Sequence, residues 1–272
     1  MGLVFWQVFV RLFDAWANDG NYSHGFLILP IALYFAWERW PRLVAAPQRP
    51  SWLGLVLMIG GIGILLAGFW GSELFLSRIA FLPVIAGIIW FMFGTVHLRI
   101  LAFPLAFVVL MIPIPAIIFN QIAFPLQLLA SRLGEWAISV VGIPVVREGN
   151  VLNLAHQSLE VAEACSGIRS LVSLVTLGIV YAYFTDSRTW VRCLIVLSAV
   201  PVAIVANGAR VAGTGMASEW ISPAAAQGFL HEFSGWLVFL FAFAMILLIQ
   251  RLIAKFAPRP AGPAAAPAGA GV

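Results

Sequence analysis

The chain has 272 residues, of which 62% are hydrophobic and only 10% are charged. A soluble domain carries about 25% charged residues, so this composition excludes an ordinary soluble protein and indicates that lipid covers much of the surface. The formal net charge of +4 comes from 15 Lys and Arg that are spread along the chain, so we expect no nucleic-acid partner.

Seven apolar stretches approach the roughly 20 residues that an α-helix needs to cross about 30 Å of hydrocarbon. They are residues 23–40, 52–70, 78–96, 100–118, 166–184, 190–208 and 231–250. Backbone polar groups in lipid must be satisfied within the protein, and the sequence lacks the alternation of a transmembrane barrel. The predicted fold class is therefore an all-α polytopic membrane protein, with an eighth span if a further helix precedes this chain.

The basic residues of the connecting segments predict an orientation. If 23–40 runs from outside to inside, nine basic residues lie inside: Arg39, Arg42, Arg49, Arg99, Arg188, Arg192, Arg251, Lys255 and Arg259. Six lie outside: Arg11, Arg78, Arg132, Arg147, Arg169 and Arg210. Because Lys and Arg favour the cytoplasmic side, we expect the N-terminus outside and the C-terminus inside.

Residues 119–165 are the main region without a predicted span, and they lie outside in this orientation. Polar residues such as Gln127 and Arg132 stand among apolar neighbours, which predicts an amphipathic or re-entrant helix at the membrane surface. The segment that follows has β-branched residues and a Gly149-Asn150 turn signal. We therefore expect a small cap that contains a short β-hairpin.

The strongest local signal for chemistry is EACSGIRS, residues 163–170, where the cap ends and a span begins. Cys165 is predicted at a helix N-terminus, where unpaired N–H groups and the macrodipole stabilise a thiolate. Ser166 and Gly167 allow close approach of a substrate backbone, and Arg169 adds positive charge. The alternative interpretation is a small buried cysteine at a helix start.

The second cysteine, Cys193, serves as a comparison. It follows Arg192 near the predicted inner face and lacks the polar neighbours of Cys165, so we assign it to packing. Two cysteines are too few for a disulfide framework, and these two lie near opposite faces of the bilayer.

Two further motifs lie at predicted outer helix ends. ANGARV, residues 206–211, carries Asn207 and Arg210 three apart, hence on one helix face. An Arg near membrane depth faces a polar partner or a cavity, or else it extends to lipid phosphates. HEFSGW, residues 231–236, carries His231, whose ordinary pKa of about 6.5 suits a general acid or base. A lone His at a helix start is also a common cap.

The three motifs share the outer ends of three different helices, which are therefore able to converge. A thiolate, an imidazole and a guanidinium are the groups that acyl transfer requires. Two alternatives stay open, because His156 or His24 is able to replace His231, and Arg169 is able to replace Arg210.

In this order, EACSGIRS, ANGARV and HEFSGW resemble the motifs of the exosortase/archaeosortase family of membrane cysteine transpeptidases. The opening NYSHGFLILPIALYFAWER resembles that family's first conserved stretch, so the resemblance extends from about residue 20 to 250. It implies that Cys165 is the nucleophile, Arg210 stabilises the oxyanion and His231 is the acid/base. Glu163, Ser166, Arg169 and Asn207 are expected to support them, without a cofactor or metal.

The resemblance also implies the partners and the location. Family members process exported proteins that carry a C-terminal sorting signal, which consists of a motif such as Pro-Glu-Pro, a transmembrane helix and a basic cluster. Bacterial members are linked to extracellular polysaccharide production. We therefore expect a Gram-negative inner-membrane enzyme whose site faces the periplasm, with an unidentified envelope acceptor and membrane lipid as its other partners.

The expected organisation is one membrane-embedded catalytic domain over residues 1–256, followed by a disordered cytoplasmic tail over residues 257–272 that is rich in Ala, Pro and Gly. The alternative function is a small polytopic transporter or channel subunit in which Arg210, Arg169 and Glu163 line a pathway. The middle of each predicted span is nearly free of ionisable residues, which argues against a through-path.

Overall fold

The computed structural model describes residues 2–161, 167–222 and 229–257, with the side chains of 229–234 excepted. Its helices are α1 (Trp6–Asn18), α2 (Gly25–Glu38), α3 (Trp40–Ala45), α4 (Leu53–Trp70), α5 (Leu74–Ile79), α6 (Phe81–Phe93), α7 (Thr95–Val108), α8 (Ala116–Val140), α9 (Ile168–Thr185), α10 (Thr189–Trp220) and α11 (Phe229–Phe256). The strands are β1 (Val145–Glu148), β2 (Val151–Leu154) and β3 (Ser158–Glu160). The predicted all-α polytopic fold is confirmed.

The described chain has eight apolar helical segments. Seven correspond to the seven predicted spans, and the eighth, Ala116–Val140, lies mostly in the region 119–165, where the sequence predicts no span. Six are long and apolar enough to cross a membrane: Leu53–Trp70, Leu74–Phe93, Ala116–Val140, Ile168–Thr185, Thr189–Trp220 and Gly235–Phe256. Two more, Gly25–Glu38 and Thr95–Met111, are apolar but shorter. The chain is thus a multi-pass membrane protein.

The chain divides into two compact units, of which the first is Met1–Ala123. Its main helix pair is α4 and α6, whose backbones approach closely at Gly54 and Gly87. A Cβ atom on Gly87 would lie only 2.7 Å from the carbonyl oxygen of Gly54. Small residues at a helix crossing are the usual means of bringing membrane helices into van der Waals contact. Nearby, Phe5 and Leu65 contribute to a buried apolar cluster.

The predicted span 100–118 is wrong in its bounds. Helix α7 ends at Val108, a 3₁₀ turn covers Val109–Met111, and α8 begins only at Ala116. The intervening segment contains Pro113 and Pro115, which lack the N–H group needed for the helical ladder and disfavour helix in the residue before them. Helix α8 includes the predicted amphipathic helix. It is itself long and apolar enough to cross a membrane, which differs from the prediction that residues 119–165 contain no span.

The second unit is Phe124–Val272, and its described core lies between α9, α10 and α11. Leu174, Ile195 and Ile246 are fully buried there. At one end, Asp186 holds Arg188 through two hydrogen bonds of 3.0 and 2.8 Å, which raise the pKa of Arg188. Arg188 also donates to the Ala257 carbonyl, so the α9–α10 turn is tied to the end of α11.

The predicted hairpin is confirmed, and a third strand extends it. β1 and β2 pair antiparallel from Val145↔Leu154 to Glu148↔Val151, joined by the predicted two-residue turn. Gly149 has φ +66° there, which glycine adopts without the steric cost of a side chain. β3 pairs with the other edge of β2. The hairpin and β3 form the cap sheet.

The cap sheet packs on α8 and α10. Leu152 is fully buried in an apolar cluster with Ile138 of α8 and Val211 of α10. Arg147 of β1 forms an ion pair with Glu135 of α8 at 3.0 Å. These contacts fix the cap sheet to the helix that carries ANGARV.

Helix α10 is longer than the predicted span 190–208. Its 32 residues correspond to about 48 Å, against about 30 Å of hydrocarbon. Cys193 lies in its first turns and is exposed, so the assignment of Cys193 to packing is wrong. Seventeen residues separate Cys193 from Arg210, which amounts to about 25 Å along the helix.

Candidate active site

The segment that carries EACSGIRS leads into α9, which begins at Ile168 with Gly167 as its N-cap. Gly167 has φ +76°, a left-handed conformation, and its carbonyl accepts the Leu171 N–H at 2.7 Å. Three of the predicted site residues, Glu163, Cys165 and Ser166, lie outside the described residues. Helix α9 therefore starts three positions after Cys165.

Before this segment the chain is anchored at Val161. The Val161 N–H donates to the Asn150 carbonyl at 2.9 Å, and the Asn150 side-chain amide donates to the Val161 carbonyl at 3.3 Å. Val161 is also buried in the cap cluster. The hairpin turn thus holds the chain at Val161, immediately before residues 162–166, by hydrogen bonds to both the N–H and the carbonyl group of Val161.

After the segment, Gly167 contacts Asn207 of α10. A Cβ atom at Gly167 would lie 2.7 Å from Asn207 Cγ and 2.9 Å from its Nδ2, so only glycine fits. Asn207 is buried, with 3% of its surface exposed. The start of α9 therefore packs on Asn207 of ANGARV. It does so at Gly167, which has a left-handed backbone and leaves no room for a side chain.

A small recess adjoins this contact. Its lining consists of Gly167 and Asn207 together with Leu126, Ala130, Leu171, Ala203 and Ile204. All members except Asn207 are apolar, so the recess offers an apolar wall with one amide.

The substitution Gly167→Ala is expected to destabilise the protein by about 2 kcal/mol or more, since a left-handed backbone with a Cβ costs about 1–2 kcal/mol and the clash with Asn207 adds to it. Gly178→Ala is the matched control, because it lies in the same helix and its Cβ would meet nothing within 4 Å. There the substitution should be neutral or slightly stabilising. Thermal unfolding of the two detergent-purified variants checks this. Equal melting temperatures would contradict the packing role of Gly167.

Arg210 lies against α11. A Cβ atom at Gly235 would lie 3.2 Å from Arg210 Nη2 and 3.3 Å from Cζ, so the guanidinium packs directly on the glycine backbone. Arg210 is half-buried. Position 231 is four residues before Gly235 in the same helix, hence on the same helix face one turn away. The side chain of His231 is not among those described.

The imidazole of His156 has a well-defined partner. Its Nδ1 lies 2.9 Å from a carboxylate oxygen of Glu219, and its backbone N–H donates to the other oxygen at 3.3 Å. The ring is 73% exposed, whereas the Glu219 side chain is 10% exposed. Glu219 is nine residues after Arg210 in α10, or about 13 Å along the axis. The partner of His156 therefore lies about two and a half helix turns beyond Arg210 along α10.

Arg169, His24 and His97 also have defined positions. Arg169 is exposed in the first turn of α9. His24 belongs to the first unit, where its Nε2 lies 3.2 Å from the Leu110 carbonyl oxygen. His97, in the same unit, is buried with its Nε2 3.1 Å from the Leu43 carbonyl oxygen. Both histidines thus have structural partners.

The model of a protein family described as transmembrane exosortase matches residues 16–248 of the chain. The chain belongs to the transmembrane exosortase family. No curated protein and no solved structure shows a significant match. Exosortase membership supports a membrane transpeptidase or protein-sorting type of function, and it favours this class over a transporter. The matched range includes all three motifs.

In this exosortase-family chain, sequence reasoning assigned Gly167 to the approach of a substrate backbone and gave Gly235 no role, so it missed the contacts of both glycines with α10. Gly167 and Gly235 each occur inside a motif, two residues after Cys165 and four after His231. A glycine in a single sequence gives no signal that a side chain from another helix packs on it. Glu219 was missed as the partner of His156 because a single sequence does not show which residues of distant elements come into contact.

Proposed function

We propose that this chain is a membrane cysteine transpeptidase or protease. It cleaves the C-terminal sorting signals of exported proteins through a thioester on Cys165. The observation that carries the proposal is that α10 contacts both neighbouring motifs, Asn207 against Gly167 and Arg210 against Gly235.

Chain geometry supports a common site. Cys165 precedes Gly167 by two residues, and two residues of chain span at most about 7 Å. Asn207 and Arg210 are separated by about 4.5 Å along α10, and position 231 is about 6 Å along α11 from Gly235. These short separations keep the three proposed groups within the dimensions of one peptide substrate.

The proposed reaction has two acyl-transfer steps. The Cys165 thiolate attacks the scissile carbonyl carbon, and the Arg210 guanidinium donates hydrogen bonds to the oxyanion. His231, as imidazolium, gives its proton to the leaving amine as the C–N bond breaks, which leaves a thioester and a neutral imidazole. An envelope nucleophile or water then attacks the thioester while His231 takes its proton, and the thiolate departs.

The proposed substrates are exported proteins with a Pro-Glu-Pro type of motif, a transmembrane helix and a basic cluster. Their membrane helix docks laterally among the spans, so that the motif reaches the site. With α8 at the membrane surface, the excess of Lys and Arg in the predicted inner loops supports a periplasmic site in the inner membrane of a Gram-negative bacterium. A function in extracellular polysaccharide production is part of this proposal.

The acid/base assignment is tested by three substitutions in one processing assay. His231→Ala is expected to slow processing about 10²–10⁴-fold, the usual contribution of a general acid–base group. His156→Ala and His24→Ala are expected to cost less than about tenfold, because each imidazole already has a structural partner, Glu219 for His156 and the Leu110 carbonyl for His24. A larger loss for His156→Ala than for His231→Ala would show that His156, and not His231, is the general acid and base.

The covalent intermediate tests the function itself. The full chain is co-expressed with a protein that carries a C-terminal sorting signal, and the products are separated without a reducing agent and analysed by mass spectrometry. We expect an adduct that links Cys165 to the new C-terminus of the substrate and that hydroxylamine cleaves. Because Cys193 is exposed, the experiment is done in the Cys193→Ala background. Processed substrate without any adduct at Cys165 would refute the thioester.

A further inference from the structure

Arg11 and Arg78 lie together in the first unit, and the proposed mechanism uses neither of them. Arg78 Nη2 donates to the carbonyl oxygen of Arg11 at 3.3 Å, so the α5 guanidinium reaches the backbone of α1 at the residue that carries the second guanidinium. Both arginines line one small recess that is open to the surroundings. Two like charges in one recess repel each other unless an anion joins them.

The carboxylates nearest in sequence are engaged elsewhere. Asp14, one turn after Arg11, accepts from the Asn18 side chain at 2.7 Å, and Glu73 accepts from the Phe75 N–H at 3.3 Å. Among the described residues no ion pair involves Arg11 or Arg78. Arg78 Nε is buried and has no hydrogen-bond partner in that same part of the chain. A buried N–H donor without an acceptor is costly, and a ligand oxygen would remove that cost.

The surroundings of the recess indicate the depth at which it lies. Helix α1 has 13 residues, about 20 Å, which is too short to cross the hydrocarbon. Its Trp6, Val10 and Phe13 are exposed on one face, while Gln7 and Arg11 follow a polar stripe beside it. An amphipathic helix of this kind lies in the interface plane, at the level of lipid headgroups.

We propose that Arg11 and Arg78 bind the phosphate of an anionic phospholipid. Planar guanidinium groups match phosphate oxygens in pairs, and Gln7 adds an amide donor at the edge of the recess. The apolar part of the lining, Val8, Phe69 and Leu74, suits the glycerol backbone and the first acyl carbons rather than a free phosphate ion. The two arginines thus fix one lipid between α1, the end of α4 and α5.

Native mass spectrometry of the full chain, released from detergent with a defined lipid, tests this site. The wild type is expected to retain phosphatidylglycerol in preference to phosphatidylcholine. Each of Arg11→Gln and Arg78→Gln should weaken retention about tenfold. Arg42→Gln is the matched control, because Arg42 is an exposed arginine of the same unit outside the recess. It should retain the lipid as the wild type does.

Several results would overturn the proposal. Unchanged retention in the double variant, equal loss in Arg42→Gln, equal retention of phosphatidylcholine, or displacement of the lipid by an equal concentration of inorganic phosphate would each exclude a specific lipid site. The Arg11→Gln variant keeps the test decisive if Arg78→Gln fails to fold, since the Arg11 side chain is exposed. Melting temperatures of the lipid-free variants show which of them are folded.

Discussion

Cells that carry Cys165→Ala are expected to accumulate uncleaved substrate, with processing reduced by about 10⁴-fold or more, because removal of a nucleophile eliminates the covalent route and not merely one stabilising contact. The measurement is an immunoblot of a co-expressed sorting-signal protein, in which the cleaved and uncleaved forms differ in mobility. Membrane fractionation should show that the variant is inserted at the wild-type level, since one small side chain does not decide membrane insertion.

The second cysteine supplies the control for this result. Cys193→Ala removes a thiol of equal size at the other end of α10, about 25 Å from Arg210. It should process substrate at the wild-type rate. Continued cleavage by Cys165→Ala would remove Cys165 from the mechanism. Loss of cleavage by both variants would show that the effect is not specific to Cys165.

Arg210→Lys is expected to lower the rate of processing about 10²–10³-fold, the cost of one oxyanion-hole donor. Lysine keeps the positive charge but lacks the planar fork of the guanidinium, which packs on Gly235. The loss should fall on kcat rather than on substrate binding, because the oxyanion exists only in the transition state and the intermediate. Initial rates at several substrate levels in proteoliposomes separate the two quantities.

Arg169→Lys is the comparison for this experiment. Arg169 belongs to EACSGIRS, the first of the three motifs. It is exposed in the first turn of α9, and it lies two residues, or about half a helix turn, after Gly167. Its substitution should change the rate less than about tenfold. If the Arg169 variant loses the larger factor while Arg210→Lys stays active, the oxyanion is stabilised from α9 instead of α10.

Local sequence signals were sufficient for much of the architecture. The uninterrupted apolar runs predicted helices, since lipid leaves the backbone no other partner. The Gly149-Asn150 pair predicted the hairpin, because glycine at the first turn position adopts the positive φ that such a turn requires. Hydrophobicity alone failed at Pro113 and Pro115, where an apolar window continued through residues that end a helix.

The contacts that define the site were beyond prediction from one sequence. Asn207 packs on Gly167 and Arg210 on Gly235 because of the angles at which α9, α10 and α11 meet, and no local pattern encodes those angles. The extension of α10 to Trp220 was missed for a related reason. Its last turns carry Ser218 and Glu219, which resemble a loop in composition but are held in the helix by their contacts with the cap sheet.

The length of α10 has a mechanical consequence for how a substrate enters. One continuous helix carries the Arg210 guanidinium and, nine residues later, the Glu219 carboxylate that grips the cap sheet at His156. We therefore expect the cap sheet and the Arg210 guanidinium, the proposed oxyanion donor, to move together. If the proposed substrate helix docks beside this site, we expect α9 or α11 to move to admit it, because a displacement of the cap sheet together with α10 would also displace the guanidinium.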